Sequence, residues 1–145
     1  MLWSAKPDFV DANGAVLKQG KFDKLAVANP RLAPYGAAAI ETLRALGLHD
    51  TLQPKFVTGE NINQTFQFAA TGNAQLGFVA LSQVMKDGRI ARGSAWLVDA
   101  RLYTPIRQDA VLLGRGKGQP AAEALLKYLR GEKARAIIKS YGYDF

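Results

Sequence analysis

The sequence contains no cysteine and a single histidine, His49. The absence of thiols excludes disulfides, thiolate catalysis and cysteine metal sites, while it leaves the cellular compartment open. No apolar run is as long as the roughly 18 residues that a membrane-spanning helix needs, so we predict no transmembrane segment. Residues 1–7 have neither a basic start nor a long apolar stretch, and we therefore expect no signal peptide in this chain.

Residues that could carry out catalysis are few and poorly placed. His49 is followed by Asp50, but adjacent side chains on a helix or strand point apart, so we expect a surface residue rather than a catalytic dyad. The segment Gly114-Arg115-Gly116-Lys117-Gly118 lacks the spacing of a phosphate loop and its Ser or Thr after the lysine. Four serines lie outside any nucleophile elbow: Ser4, Ser82, Ser94 and Ser140. Three acidic residues are too scattered to suggest a metal site: Asp99, Asp109 and Glu123. We predict that the chain is not an enzyme and holds no metal ion.

The charge of the chain is strongly positive, with 19 basic residues against 12 acidic ones and a formal net charge of +7. Such a balance attracts anions over long distances. The basic residues are dispersed and do not form a run interleaved with aromatic residues, so we predict no nucleic-acid partner. They include Lys18, Lys21, Lys24, Arg89, Arg92, Arg115, Lys117, Lys133 and Arg135.

Strand-like and helix-like patterns alternate along the chain, which indicates an α/β fold with a mostly parallel sheet flanked by helices. Apolar or β-branched runs predict strands at residues 2–4, 25–28, 55–58, 76–80, 96–98 and 107–113. Helical spacing predicts helices at residues 36–46, 61–71, 81–85, 120–129 and 132–140, with Gly47 ending the first of them. The inward faces predicted for the last two helices are formed by Ala121, Ala124, Leu125 and Tyr128, and by Ala136, Ile137 and Tyr141.

Two loop-to-helix junctions stand out because each follows an apolar strand. One reads Asn29-Pro30-Arg31-Leu32-Ala33-Pro34-Tyr35-Gly36, and the other reads Thr58-Gly59-Glu60-Asn61-Ile62. The start of a helix presents unpaired N–H groups and the positive end of the helix dipole, so it can bind an oxyanion. The residues alone leave open whether these junctions are oxyanion-binding sites or ordinary strand-to-helix connections.

Several motifs, taken in order, resemble the substrate-binding protein of the molybdate ABC transporter, a type II periplasmic binding protein. They are the segment from Leu25 through Tyr35-Gly36 to Ile40, Val57-Thr58-Gly59-Glu60-Asn61-Ile62, Ala69-Ala70-Thr71-Gly72-Asn73-Ala74-Gln75-Leu76-Gly77-Phe78-Val79-Ala80, and Pro105-Ile106-Arg107-Gln108-Asp109-Ala110-Val111-Leu112. The resemblance covers essentially the whole chain. It implies a ligand, molybdate or tungstate, with no cofactor, a periplasmic location, and a membrane permease as partner.

The resemblance also implies how the chain is divided. Residues 1–106 correspond to lobe two with its crossover strands, and residues 107–145 to the returning C-terminal segment of an incomplete lobe one. The first part of lobe one, which carries small hydroxyl or amide ligands in the family, has no counterpart, so the chain resembles an N-terminally truncated member. The apolar face of the C-terminal segment is then expected to dock on lobe two, pair with another copy in a homo-oligomer, or stay loose.

The resemblance assigns the ligand-binding residues to the two junctions. Molybdate has only acceptor oxygens, so its site needs convergent N–H or O–H donors. Tyr35 and Ile62 match the family's ligand positions, with Gly36 and Asn61 in supporting roles. Ile62 has only its backbone N–H to offer, whereas the Tyr35 hydroxyl is either a further donor or part of a half-buried aromatic side chain. Glu60 is expected to cap the helix or form an ion pair, and Asn61 to be the N-cap.

The missing donors set an expectation for affinity. A hydrogen bond to a charged group contributes about 1.5–3 kcal/mol, so losing two or three donors costs about 3–9 kcal/mol. This corresponds to roughly two to six decades in affinity, and we expect the chain alone to bind molybdate weakly or not at all. The alternative is a self-associating or ligand-sensing domain of the same fold without tight oxyanion binding.

Overall fold

A computed structural model describes residues 1–86 and 88–145, and it contains a five-stranded sheet and a separate two-stranded ribbon. The sheet consists of β1 (Leu2–Ser4), β2 (Leu25–Ala28), β3 (Phe56–Gly59), β4 (Leu76–Phe78) and β7 (Ser94–Trp96). The ribbon consists of β5 (Met85–Lys86) and β6 (Arg89–Ile90).

The order of strands in the sheet is β3-β2-β4-β1-β7. β2 pairs in parallel with β3 and with β4, whereas β1 is antiparallel to both β4 and β7. Four strands therefore point one way and β1 alone is reversed, in agreement with the predicted α/β class.

Six helices accompany the strands in the described part of the chain. They are α1 (Val16–Gln19), α2 (Pro34–Ala45), α3 (His49–Leu52), α4 (Ile62–Ala70), α5 (Pro120–Leu129) and α6 (Glu132–Ser140). Short 3-10 turns occur at Gln53–Lys55, Leu81–Gln83, Ala100–Leu102 and Gly114–Gly116. None of the helices at residues 1–86 and 88–145 combines the length and the apolar character required to cross a membrane.

The ends of the central helices follow the local signals in the sequence. Gly47 follows α2 with a left-handed φ of 68°, a conformation that glycine adopts without steric cost. Asn61 is the N-cap of α4, and its side-chain oxygen accepts a hydrogen bond from the Gln64 N–H at 3.0 Å. Both predictions are confirmed.

The sheet is covered on its two faces by different clusters. On one face, Leu2, Leu25 and Leu76 pack with Leu43 of α2. On the other face, Trp3 is fully buried with Ala69 of α4. Leu2 and Trp3 are neighbours in β1 and belong to opposite clusters because strand side chains alternate between faces.

Three predicted elements near the middle and end of the chain need correction. The strand predicted at 96–98 lies at Ser94–Trp96, and the helix predicted at 81–85 is a 3-10 turn, Leu81–Gln83, followed by β5. Residues 107–113 form no strand in the described structure, and Val111 and Leu113 are 78% and 71% exposed. A strand needs a neighbour for its N–H and C=O groups, and none of the described strands pairs with this segment.

The inward faces predicted for α5 and α6 are wrong. Leu125, Tyr128, Ile137 and Tyr141 are 57%, 49%, 50% and 52% exposed, and the side chain of α6 that is buried is Ala134. Helical periodicity identifies an apolar stripe but not the surface that covers it. The apolar stripe of this helix pair therefore lies open in the described structure.

Gly36 allows α2 to begin against the end of β2, because a Cβ at this position would overlap the carbonyl oxygen of Ala28. We predict that Gly36→Ala lowers the free energy of unfolding by about 1–3 kcal/mol through overpacking. Gly114→Ala is the matched control, since a Cβ at Gly114 meets no atom within 4 Å, and it should change stability by less than about 0.5 kcal/mol. Urea denaturation measures both, and equal stabilities of the two variants would contradict this role of Gly36.

Candidate functional site

The carboxyl ends of the parallel strands β2, β3 and β4 meet at one edge of the sheet. α2 begins shortly after β2, and α4 begins shortly after β3. The backbone N–H of Asn29 donates to the carbonyl oxygen of Gly59 at 2.7 Å, which continues the β2–β3 pairing into the loops. The structure thus brings the two predicted junctions side by side.

The first junction folds around Asn29. Its side-chain oxygen accepts from the Arg31 N–H at 3.0 Å, and its carbonyl oxygen accepts from the Ala33 N–H at 2.9 Å. Pro34 occupies the first helical position, where its lack of an N–H and its fixed φ suit a helix start. The N–H of Tyr35 has no acceptor among residues 1–86 and 88–145, so it remains available to an external anion.

The second junction folds around Asn61. Besides its N-cap bond, its carbonyl oxygen accepts from the backbone N–H and the hydroxyl of Thr65, at 3.1 and 2.9 Å. Gln64 completes the turn by accepting from the Glu60 N–H at 2.7 Å. The N–H group of Ile62 lies before the first bond of the helix, and the described residues offer it no acceptor.

Glu60 does not have the role expected from the sequence. Its side chain is exposed and makes neither a capping bond nor an ion pair with any described residue. The side chain of Asn61 already caps α4 by accepting from the Gln64 N–H, and the Gln64 side chain accepts from the Glu60 N–H, so the capping bonds are made without the Glu60 carboxylate.

Glycine at both junctions permits close packing. Gly36 has this role in α2, as described above. At Gly59 a Cβ would lie 2.5 Å from the Thr65 hydroxyl oxygen and 2.8 Å from its backbone nitrogen. The sequence identified Gly36 as a supporting residue and missed Gly59, although its position at the end of a strand directly before a helix is typical of close strand–helix approach.

A third strand contributes through Gln83, which sequence reasoning also missed. The Gln83 amide nitrogen donates to the carbonyl oxygen of Ile62 at 3.3 Å and to the side-chain oxygen of Asn63 at 3.0 Å. Its amide oxygen accepts from the Ala80 N–H at 3.0 Å. The exit of β4 is therefore linked to the first turn of α4.

The side chain of Tyr35 lines a cleft of about 1080 Å³, together with residues of α2, the exit of β4, residues 105–109 and the C-terminal end of the chain. Its hydroxyl accepts a hydrogen bond from the Gln108 amide at 3.3 Å. Burial, followed by the neighbouring Tyr143 phenol, raises the pKa of Tyr35 to about 12. Tyr143 is in turn 3.4 Å from the Ser82 hydroxyl. Tyr35 is therefore half-buried and neutral at ordinary pH, and Ile62 is not among the residues that line the cleft.

Neither a metal site nor a catalytic dyad is evident in the described ranges. No group of three or more His, Asp or Glu side chains lies close enough to hold a metal ion in this part of the chain. His49 and Asp50 do pair, at 2.7 Å between Nδ1 and Oδ1, so the expectation that they point apart is wrong. The start of a helix brings them together. The Asp50 side chain is 99% exposed, whereas the His49 side chain is 18% exposed and lies edge-on to Phe56, so His49 is not the surface residue that we expected.

Comparison with known proteins places the chain among binding proteins. Residues 2–144 match the family described as bacterial extracellular solute-binding proteins. The chain is 59% identical over 143 residues to the molybdate-binding protein ModA of Azotobacter vinelandii, and 54% identical over 144 residues to ModA of Rhodobacter capsulatus. Both alignments cover 99% of this chain, but only 57% and 55% of the respective relatives.

A solved structure supports the same assignment. The periplasmic molybdate-binding protein of Azotobacter vinelandii superimposes with a TM-score of 0.92 and 40% identity, covering 99% of this chain and 63% of that protein. The chain therefore spans little more than half the length of the relatives that it matches. These relatives are named as molybdate-binding proteins and not as enzymes, in agreement with the prediction that the chain is not an enzyme. On the extent of the family match and of the sequence identity, the chain belongs to the bacterial extracellular solute-binding protein family.

Proposed function

We propose that this chain forms part of the periplasmic substrate-binding component of a molybdate or tungstate ABC transporter, and that it delivers the oxyanion to a membrane permease. The observation that carries the proposal is the pair of adjacent helix starts with free N–H groups at Tyr35 and Ile62. The names and identities of the relatives support molybdate as the ligand. Tungstate enters as the alternative oxyanion because it has the same charge and nearly the same size.

In this proposal the anion is bound by the backbone. The N–H groups of Tyr35 and Ile62 donate to two of its oxygens, and the dipoles of α2 and α4 supply positive potential without a buried side-chain charge. Asn61 and Gly36 support the geometry, one as the N-cap of α4 and the other by close packing of α2 on β2. The net charge of +7 adds long-range attraction for a dianion.

The Tyr35 hydroxyl has a different role. It already accepts from Gln108 and faces Tyr143, both from the last forty residues of the chain. We therefore assign it to contact with the C-terminal segment and not to the anion. This favours the half-buried aromatic role over the donor role for this side chain.

We further propose that residues 1–106 form one lobe and that residues 107–145 are a segment of the other. The exposed apolar stripe of α5 and α6 and the unpaired stretch 107–113 support this division, because both lack partners within the described residues. The remaining anion donors would then come from outside these 145 residues. Without them, affinity falls by about 3–9 kcal/mol, which leaves weak binding to the chain alone.

A nuclear magnetic resonance titration of the ¹⁵N-labelled chain with molybdate tests the function. We expect the amide signals of Tyr35 and Ile62 to shift together and to saturate with one shared dissociation constant. Sodium chloride at matched ionic strength is the control and should leave both signals in place. Shifts that are spread over the surface lysines and arginines, with none at Tyr35 and Ile62, would contradict the proposal.

Replacing Ile62 by proline deletes one backbone donor at a position where proline suits the helix. Ile62 is the first residue of α4, and Asn61 before it is extended, with φ −145° and ψ 172°, as proline requires of its predecessor. We predict that Ile62→Pro weakens molybdate binding about 10- to 100-fold, the equivalent of one hydrogen bond to a charged group. Ile62→Val keeps the N–H and should bind normally, so equal weakening in both variants would contradict a backbone role.

Removing the Tyr35 hydroxyl distinguishes the contribution of the side chain to anion binding from that of the backbone N–H. We predict that Tyr35→Phe changes molybdate affinity by less than about threefold, since the backbone N–H remains and the hydroxyl is bonded to Gln108 rather than to the anion. The same variant should lose the ultraviolet absorbance change assigned to a phenol that titrates at about 12. A tenfold or larger loss of affinity would identify the hydroxyl as an anion ligand.

The second candidate function is a self-associating or ligand-sensing domain of the same fold. It is favoured by the exposed apolar side chains of α5 and α6, because such surfaces mark interaction sites. Sedimentation of the chain over a range of concentrations distinguishes the two candidates. A stable homo-oligomer that gives no molybdate response would favour the second candidate, and a monomer that responds to molybdate would favour the first.

A further inference from the structure

Gln83 connects two parts of the site edge that are distant in sequence. It follows β4, which is separated from β3 in the sheet by β2, and its side chain reaches the first turn of α4, about twenty residues earlier in the chain. Its amide oxygen accepts from Ala80, and its amide nitrogen donates to Ile62 and Asn63. The amide nitrogen and the amide oxygen of this half-buried side chain therefore both make hydrogen bonds. These bonds fix the side chain as a cross-link between the two segments.

The bond to Ile62 acts on the peptide group that follows the proposed anion donor. The Ile62 carbonyl oxygen and the Asn63 N–H belong to one planar peptide group. A hydrogen bond donated to that oxygen polarises the group and strengthens its N–H as a donor. The Asn63 N–H also lies before the first intrahelical bond of α4 and has no acceptor among the described residues.

The bond to Asn63 restricts where the helix start can lie. The end of β3 fixes α4 on one side through Asn61 and Gly59, and Gln83 fixes it on the other side through the exit of β4. β2, whose following loop leads to Tyr35, lies between β3 and β4 in the sheet. The spacing between the Tyr35 and Ile62 N–H groups therefore depends on both attachments.

We propose that Gln83 is a positioning residue of the oxyanion site, which holds the first peptide groups of α4 at the orientation and spacing that anion binding needs. The proposal rests on the oxyanion function proposed above. Gln83 acts through Ile62 and Asn63 and does not itself contact the anion. We expect the fold to survive the loss of these bonds, because the N-cap of α4 and the packing of Ala69 do not depend on Gln83.

The test compares Gln83→Met with Gln67→Met. Methionine matches the length of glutamine and makes no comparable hydrogen bonds. Gln67 is an exposed residue of α4, the helix that Gln83 contacts, and its side chain makes no hydrogen bond within the described residues. In the ¹⁵N-labelled chain without ligand, we expect Gln83→Met to shift the Ile62 and Asn63 amide signals, while Gln67→Met leaves both unchanged.

Binding provides the second measurement. We expect molybdate to bind Gln83→Met about five- to tenfold more weakly than the unmodified chain, whereas Gln67→Met binds normally. Gln83→Glu keeps the acceptor for Ala80 but loses both donors and adds a negative charge, so it should weaken binding further. Unchanged amide signals together with unchanged affinity in Gln83→Met would overturn the proposal.

The two measurements together distinguish a failure of the positioning role of Gln83 from a failure of the proposed oxyanion function. If the unmodified chain gives no molybdate response, the oxyanion function of the chain is contradicted, and Gln83 is judged from the amide signals without ligand. Movement of those signals then supports the positioning role, and their constancy overturns it.

Discussion

The parallel pairing of β2 with β3 is the constraint on which the rest of the structure depends. Parallel strands place their carboxyl ends at the same edge of a sheet, so the helices that follow them start close together. The bond from the Asn29 N–H to the Gly59 carbonyl extends this pairing beyond the strands. Two helix starts therefore lie at one edge of the sheet, which is the arrangement on which the proposed binding of an oxyanion depends.

At the carboxyl ends of β2 and β3, loops that are held by several hydrogen bonds carry backbone N–H groups that have no acceptor among the described residues. Asn29 and Asn61 each satisfy neighbouring N–H groups through side-chain and backbone oxygens. The N–H groups of Tyr35 and Ile62 are left without acceptors among the described residues. The surrounding bonds fix the direction of the free donors before any ligand arrives, and such preorganisation lowers the cost of binding. The C-terminal segment contacts the Tyr35 side chain, because Gln108 donates a hydrogen bond to its hydroxyl and Tyr143 lies beside it in the cleft.

Features that depend on near neighbours in sequence could be predicted, whereas those that depend on distant partners could not. Gly47 and Asn61 end or begin helices through bonds within a few residues, so their roles follow from residue type and spacing. Residues 107–113 carry the composition of a strand, but pairing depends on a partner that the described chain does not provide. The faces of α5 and α6 were mispredicted for the same reason. Gln83 was missed because its bonds to Ile62 and Asn63 cross about twenty residues, and a lone glutamine after a strand carries no local signal.

The proposed function requires that one oxyanion is bound by backbone N–H groups at both helix starts. This requirement can be tested by soaking crystals of this chain in tungstate and measuring anomalous diffraction. Tungsten has a strong anomalous signal, so the bound anion can be located without interpreting the electron density of the protein around it. We expect a single strong anomalous peak, with oxygens within about 3 Å of the N–H groups of Tyr35 and Ile62. A peak located only on surface lysines or arginines, or on the Tyr35 hydroxyl away from both N–H groups, would contradict it.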